Sequence, residues 1–196
     1  MGRPAKHDAQ TLLDAAAAIV ADQGPAAVTM VAVARRADVP SGSLYHRFPS
    51  RAALMGELWL RTVRRFQAGW LDALRDDDPL AALVAAARHV VAWSRRNRDE
   101  ARLLLYGADE FAQADWPADT RRAIDQQQRD AEAALRSVAG ALGGGSETLE
   151  RAVLAAIDIP YATVRRRLHA DDPLPRHAEA LVEECARALL GSSTNG

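Results

Sequence analysis

The stretch TMVAVARRADVPSGSLYHRF, residues 29–48, decides how the fold of this chain is interpreted. Small and apolar residues recur at helical spacing on both sides of a short turn at residues 38–40. The pattern predicts one short helix over residues 30–37 and a second over residues 41–48. Two short helices joined by a tight turn are typical of a helix-turn-helix, whose second helix enters the major groove of DNA.

The second predicted helix has one apolar face and one polar face. At about 100° per residue, Leu44 and Phe48 fall close together and indicate the side that faces the core. Gly42, Ser43 and His46 fall on the opposite side, which carries no acidic residue. Glycine permits close approach to a duplex, and serine and histidine can donate hydrogen bonds to base edges or phosphates. This side of the helix is therefore the candidate DNA-reading face.

Further residues of the stretch extend this candidate surface. Tyr45 and Arg47 flank the polar face and are suited to contacts with phosphates. Thr29 precedes the first helix and is a candidate N-cap. The alternative is a packed helical corner that binds nothing. The polar outward face and the basic flanks favour the DNA-binding interpretation.

Together with Arg51 and Leu54, the stretch resembles the DNA-binding domain of the TetR family of bacterial repressors, and the close resemblance spans residues 12–58. Its most distinctive part is Leu-Tyr-x-x-Phe, followed by a basic residue and a leucine. The resemblance implies that Thr29 caps its helix and touches a phosphate, and that Tyr45 and Arg51 contact the DNA backbone. The resemblance also implies that four residues face the major groove: Ser41, Gly42, Ser43 and His46.

Two positions depart from the family pattern. Asp38 stands where the family usually has glycine in the turn, but aspartate tolerates the left-handed conformation, so we expect the turn to form. Pro40 replaces the usual serine or threonine N-cap of the second helix. Either Ser41 caps that helix, or Pro40 is the proline of its first turn.

Charge is distributed unevenly along the chain, although the net charge is only -1. Residues 1–75 contain ten basic and six acidic residues, a balance of +4, whereas the remainder carries -5. This asymmetry indicates a polyanion site near the N-terminus, or else merely solvated helix faces. Arg3, beside Pro4, could place its guanidinium in a narrow minor groove, or could belong to an ordinary terminus.

The composition predicts an all-α protein. The chain has 196 residues, of which 42 are alanine, and no strand pattern is present. The apolar spacing predicts about nine helices: a three-helix DNA-binding domain over residues 1–50, then a helical effector-binding and dimerisation domain over 51–196. A long helix beginning at Arg51 would link the recognition helix to the second domain.

The last two predicted helices carry apolar stripes. The resemblance implies that they pair with their copies in a twofold four-helix bundle, giving a homodimer; alternatively, the stripes face only their own core. Cys185 lies within a stripe and is expected to be a small buried hydrophobic residue. The candidate interface residues are Val153, Ile157, Leu181, Val182, Cys185 and Leu189.

Aromatic residues concentrate in the middle of the chain. A mostly apolar cavity with a few polar anchors is typical of a small-molecule site, so we expect an apolar or aromatic effector with one or two hydrogen-bonding groups. Alternatively, each aromatic residue packs in a core, and Asp158 satisfies backbone groups freed by a kink at Pro160. The candidate effector-binding residues are Phe66, Trp70, His89, Trp93, Tyr106, Phe111, Asp158 and Tyr161.

Several function classes are disfavoured. A single cysteine excludes an intramolecular disulfide, and the longest apolar run, residues 80–87, is too short for a membrane span. No signal peptide is recognised, so a cytoplasmic location is expected. The histidines show no metal-ligand spacing, and no cofactor or nucleophile motif is found. An operator-binding repressor is therefore predicted; a helical enzyme and a protein-interaction module are the alternatives.

Overall fold

The computed structural model describes the backbone of residues 5–191 and the side chains of residues 9–191. All regular structure in these residues is helical, as the composition predicted. Three short 3-10 turns lie at Pro25–Ala27, Ala108–Phe111 and Gln113–Asp115. The α-helices are α1 (Ala5–Gln23), α2 (Met30–Arg36), α3 (Ser41–Arg47), α4 (Arg51–Ala73), α5 (Pro79–Arg96), α6 (Arg98–Leu105), α7 (Ala118–Ala141), α8 (Ser146–Val153), α9 (Ile159–His169) and α10 (Ala178–Gly191).

A π-helical segment, Leu154–Asp158, joins α8 to α9 without a break, so the described residues form nine helices. Pro160 lies at the start of α9 and has no N–H to donate to the carbonyl oxygen of Ala156 four residues earlier. The indole Nε1 of Trp70 donates to that oxygen at 3.5 Å. The kink expected at Pro160 is thus a local change of helix type, supported by a side chain from α4.

The described chain folds into two compact units that do not coincide with continuous halves of the sequence. The first contains the chain up to Val63 together with Asp99–Asp125, and the second contains Arg64–Arg98 together with the chain from Gln126. Helix α4 contributes residues to both units. The functional boundary between residues 50 and 51 stays a prediction, because compactness alone does not locate a function.

In the first unit, α1 to α3 and the start of α4 share one core with the segment that follows α6. Phe111 and Trp116 from that segment pack around Trp59 of α4, with ring centroids 4.9 and 6.3 Å from the Trp59 ring. Both are almost fully buried, and the indole of Trp116 donates to the carbonyl oxygen of Phe111 at 2.8 Å. Gly56 permits this approach, since a Cβ there would lie 3.0 Å from the Trp116 ring.

In the second unit, α5 packs against α9, α10 and the π-helical segment. Asp78 begins α5, because its Oδ1 accepts a hydrogen bond from the backbone N–H of Leu80 at 2.9 Å. The apolar stripe of α5 is buried as its spacing predicted, with Leu83 and Val91 fully inaccessible to solvent.

Candidate nucleic-acid interface

The helix-turn-helix forms with the local geometry that its residues favour. Thr29 is the N-cap of α2, and its hydroxyl oxygen accepts from the N–H of Ala32 at 3.1 Å, which confirms the capping prediction. Asp38 has φ of +54°, so the turn uses the left-handed conformation despite the absence of glycine. Helix α3 begins at Ser41, and Pro40 occupies the N-cap position without a capping side chain. Neither alternative from the sequence is correct, since Ser41 is the first helical residue and not the cap, and Pro40 precedes the helix.

Helix α3 separates its two faces as the sequence predicted. Leu44 and Phe48 are buried in the core of the first unit, whereas Ser43 and His46 are exposed. A Cβ built on Gly42 would meet nothing within 4 Å, so the helix surface is open there. The remaining candidate contacts on α3 are also accessible, with Ser41 and Tyr45 exposed and Arg47 partly buried. Their contact with DNA stays a prediction.

The electrostatics of this surface suit a polyanion. Helices α2 and α3 contain no acidic residue, and Arg35 and Arg36 form the last turn of α2. Arg36 pairs with Asp22 of α1 at 2.8 Å, and both side chains are largely exposed. An exposed pair of this kind is worth little in stability, so Arg36 can exchange its partner for a phosphate at small cost.

Arg51 has a structural role that the sequence did not reveal. Its Nε donates to the carbonyl oxygen of Val28 at 2.6 Å, and its Nη2 donates to that of Pro25 at 2.8 Å. The side chain is partly buried and ties the first turn of α4 to the segment between α1 and α2. Contact of the same guanidinium with the DNA backbone stays a prediction. Arg3, the proposed minor-groove arm, lies outside the described residues.

Three of the candidate effector-binding residues form an aromatic cluster in the second unit. The Phe66 ring centroid lies 5.5 Å from that of His89 and 5.3 Å from that of Trp93. The Nε2 of His89 lies 3.0 Å from the Phe66 carbonyl oxygen and donates to it when it carries the proton. Burial lowers the pKa of His89 below 6.5, and the charge of Arg96 lowers it further, against the opposing effect of the Phe66 hydrogen bond.

The other candidate effector-binding residues lie elsewhere. Tyr106 and Phe111 belong to the first unit, where Phe111 is fully buried in the core. Trp70 is buried in the second unit, but Asp158 and Tyr161 are exposed, and Asp158 makes no capping hydrogen bond to α9. No single unit therefore contains all eight residues, and a role for any of them in effector binding stays a prediction.

The candidate dimer residues differ in their exposure. Val182 is 1% exposed and packs within its own unit, whereas Ile157 and Leu181 are exposed, and Val153 and Leu189 are intermediate. Cys185 is exposed, which corrects its interpretation as a buried hydrophobic residue, since it lies on the Leu181 side of α10 and not on the Val182 side. Spacing alone missed Leu154 and Tyr161, two further apolar residues that are exposed on the continuous helix.

The described part of the chain contains no group of three His, Cys, Asp or Glu side chains placed to hold a metal ion. None of its helices is both long enough and apolar enough to cross a membrane.

Residues 12–58 match the sequence model of the family described as bacterial regulatory proteins, tetR family. No curated protein sequence matches the chain significantly. Among similar solved structures, the fatty acid degradation regulator FadR from Bacillus halodurans is 17% identical, with a TM-score of 0.72 and 97% of each chain covered. The ketosteroid transcriptional regulator KstR2 of Mycobacterium tuberculosis is 20% identical, with a TM-score of 0.70. The match covers 94% of this chain and 93% of the KstR2 chain.

A third structure, FadR from Bacillus subtilis in complex with stearoyl-CoA, is 14% identical, with a TM-score of 0.70. The match covers 92% of this chain and 97% of the FadR chain. At such identities the likeness shows the fold, and the matched motif adds the identity of the helix-turn-helix. The motif and the fold agree: residues 12–58 match the helix-turn-helix of the tetR family of bacterial regulatory proteins, and the described chain has the fold of the solved regulators above.

Proposed function

We propose that this protein is a homodimeric repressor that binds a palindromic operator through α3 and is released by a small apolar or aromatic effector. The observation that carries the proposal is the exposed, acid-free face of α3, held outward by the buried Leu44 and Phe48. The match of residues 12–58 to the tetR family supports a DNA-binding transcription regulator and not an enzyme.

The exposed apolar residues near the C-terminus support a homodimer. Ile157 and Leu181 are exposed although both are large aliphatic side chains, and an exposed apolar group of this kind commonly marks an interface. A twofold dimer presents the same surface twice and reads two inverted half-sites. We therefore expect the half-sites to be about 34–36 Å apart, one turn of DNA, with a near-palindromic sequence.

The aromatic cluster of the second unit, of which Trp93 is buried and Phe66 and His89 are partly buried, supports an apolar effector. Phe66, His89 and Trp93 form a cluster with little charge, and His89 is held largely neutral by its burial. Two of the structurally similar regulators are associated by name with molecules that have a large apolar portion, stearoyl-CoA and ketosteroids. We expect the effector of this protein to share that property.

The proposed release is a population shift between two arrangements of the dimer. An effector weakens DNA binding only by the difference between its affinities for the operator-binding and the released arrangement. Helix α4 is the natural connection, because it supplies Leu54 and Leu58 to the core of the first unit and Trp70 to the second.

Selection of bound sequences from a random DNA pool tests the proposal. We expect the enriched sequences to share two inverted half-sites, and sedimentation velocity to show one or two protein dimers on each duplex. Ser43→Ala and His46→Ala should relax the sequence preference, because both side chains can donate to base edges. A pool that remains unenriched would reject operator binding and favour a helical protein-interaction module.

A further inference from the structure

The exposed large apolar side chains of the described chain fall into two groups. Four lie on the C-terminal helices and belong to the proposed dimer surface: Leu154, Ile157, Tyr161 and Leu181. The other two, Val31 and Tyr45, lie on the two helices of the helix-turn-helix and are 64% and 51% exposed. Tyr45 carries a hydroxyl group that can contact a phosphate, whereas Val31 has no polar group at all.

Val31 is exposed because of its position on α2. Met30, Val33 and Ala34 form the buried stripe of this helix, and Val31 lies about 100° from Met30 around the helix axis. Arg35 follows Val31 by four residues, so the two side chains share one side of the helix. That side therefore carries an exposed cation and an exposed β-branched apolar group, with no carboxylate on the helix.

A valine gains nothing from a phosphate, and it can contact only the apolar groups that a duplex offers. In the major groove the distinctive apolar group is the C5-methyl of thymine, which cytosine lacks. We propose that Val31 contacts the C5-methyl of one thymine in each half-site and so adds base selection to that of α3. The inference rests on the proposed operator binding, in which Arg35 pairs with a neighbouring phosphate.

The test removes single methyl groups from the DNA. Each thymine of the selected operator is replaced in turn by deoxyuridine, and the affinity is measured by fluorescence anisotropy. At one position per half-site the wild-type protein should bind roughly fourfold more weakly, as expected for one buried methyl group. Val31→Ala should bind the thymine and uracil operators equally, with an affinity close to that of the wild type for the uracil operator.

Arg35→Ala is the matched control on the same side of α2. It should weaken binding to both operators and lower the salt dependence, while the fourfold preference for thymine is kept. Retention of the full uracil penalty by Val31→Ala would assign the methyl contact to another residue and overturn the inference. The inference would also be wrong if Val31→Ala bound every DNA sequence equally more weakly and replacement of thymine by deoxyuridine had no effect on the wild type. That result would indicate a contact with a sugar. An unenriched pool would instead reject operator binding itself.

Discussion

Arg51 stabilises the DNA-binding unit through two carbonyl oxygens, those of Pro25 and Val28. The carbonyl oxygen of Pro25 also accepts from the backbone N–H of Val28 at 3.2 Å, so Arg51 adds a second hydrogen bond there in the short segment between α1 and α2. Hydrogen bonds from a charged donor are stronger than neutral ones, so one side chain can order this connection. A residue predicted to contact DNA therefore also stabilises the unit that contains the helix-turn-helix.

We expect Arg51→Ala to lower the free energy of unfolding by about 2 kcal/mol, since hydrogen bonds from a charged group are lost. Urea unfolding measures this change, and Arg35→Ala, an exposed replacement of the same kind, should stay within about 0.5 kcal/mol of wild type. The salt dependence of DNA binding tests the second role. A slope that falls by about one unit indicates a phosphate contact, and an unchanged slope indicates a structural role alone.

His89 makes stability depend on pH in a defined direction. Burial lowers the pKa of His89 in the folded state, so the unfolded chain binds its proton more readily. The stability that the neutral imidazole provides is present above the unfolded pKa of about 6.5 and is lost as the pH falls below it. Urea unfolding of wild type and His89→Gln from pH 7.5 to 5.5 should show the wild-type advantage shrinking. If the difference in unfolding free energy between the two proteins stays constant over this pH range, the lowered pKa of His89 is contradicted.

Helices α4 and α5 approach each other closely at Gly69, where the absence of a side chain leaves room for His89. A Cβ on Gly69 would lie 2.3 Å from Cε1 of His89, far inside van der Waals contact. The glycine thus allows the imidazole to lie against α4 and to reach the carbonyl oxygen of Phe66. Close approach of these elements is achieved at the cost of lower helix propensity in α4.

Gly69→Ala should destabilise the protein by about 1–3 kcal/mol, because overpacking outweighs the gain in helix propensity. Gly140→Ala on α7 is the control, since a Cβ there meets nothing within 4 Å, and it should be neutral or stabilising by about 0.5 kcal/mol. Adding His89→Ala to Gly69→Ala should restore much of the loss. Thermal unfolding of the wild type, Gly69→Ala, His89→Ala and the double variant measures the coupling; an additive result would reject the contact.

The spacing of apolar residues predicted the helices and their buried sides better than it predicted which residues pack against each other. The burial of Leu44 and Phe48 followed from spacing alone, because a helix of known handedness fixes which residues share a side. The packing of Phe111 and Trp116 around Trp59 did not, because these contacts join residues more than fifty positions apart. The exposure of Cys185 was also missed, since an apolar stripe on α10 extends around two sides of the helix.

At the scale of the whole molecule, the exposed apolar surface of α10 and of the continuous helix before it determines the expected assembly. Ile157 and Leu181 are exposed in the single chain, whereas Val182 and Ala186 on the other side of α10 are buried. One side of α10 thus packs in the core of its own chain, and a second side with exposed apolar residues is available to another chain. A symmetric partner can cover that side with an identical one.

Leu181→Arg should convert the dimer to monomer at micromolar concentration, because the interface would bury unpaired charges. Sedimentation velocity measures the change, and circular dichroism should show that the helices are retained. Ser137→Arg adds the same charge at an exposed position on a different helix, α7, and should remain dimeric. An intact Leu181→Arg dimer would place the interface elsewhere.

The first compact unit is assembled from two separate pieces of the chain, and this has a consequence for building hybrid regulators. Exchange of sensing modules between regulators assumes that the DNA-reading part can be cut out as one continuous fragment. Here a fragment ending at Val63 would lack Leu103, Phe111 and Trp116, all of them buried in its core. A transplant that works must carry residues 99–125 with it, or supply an equivalent apolar cover. In this protein, the unit that contains the helix-turn-helix therefore cannot be separated from residues 99–125, which belong to the predicted effector-binding domain.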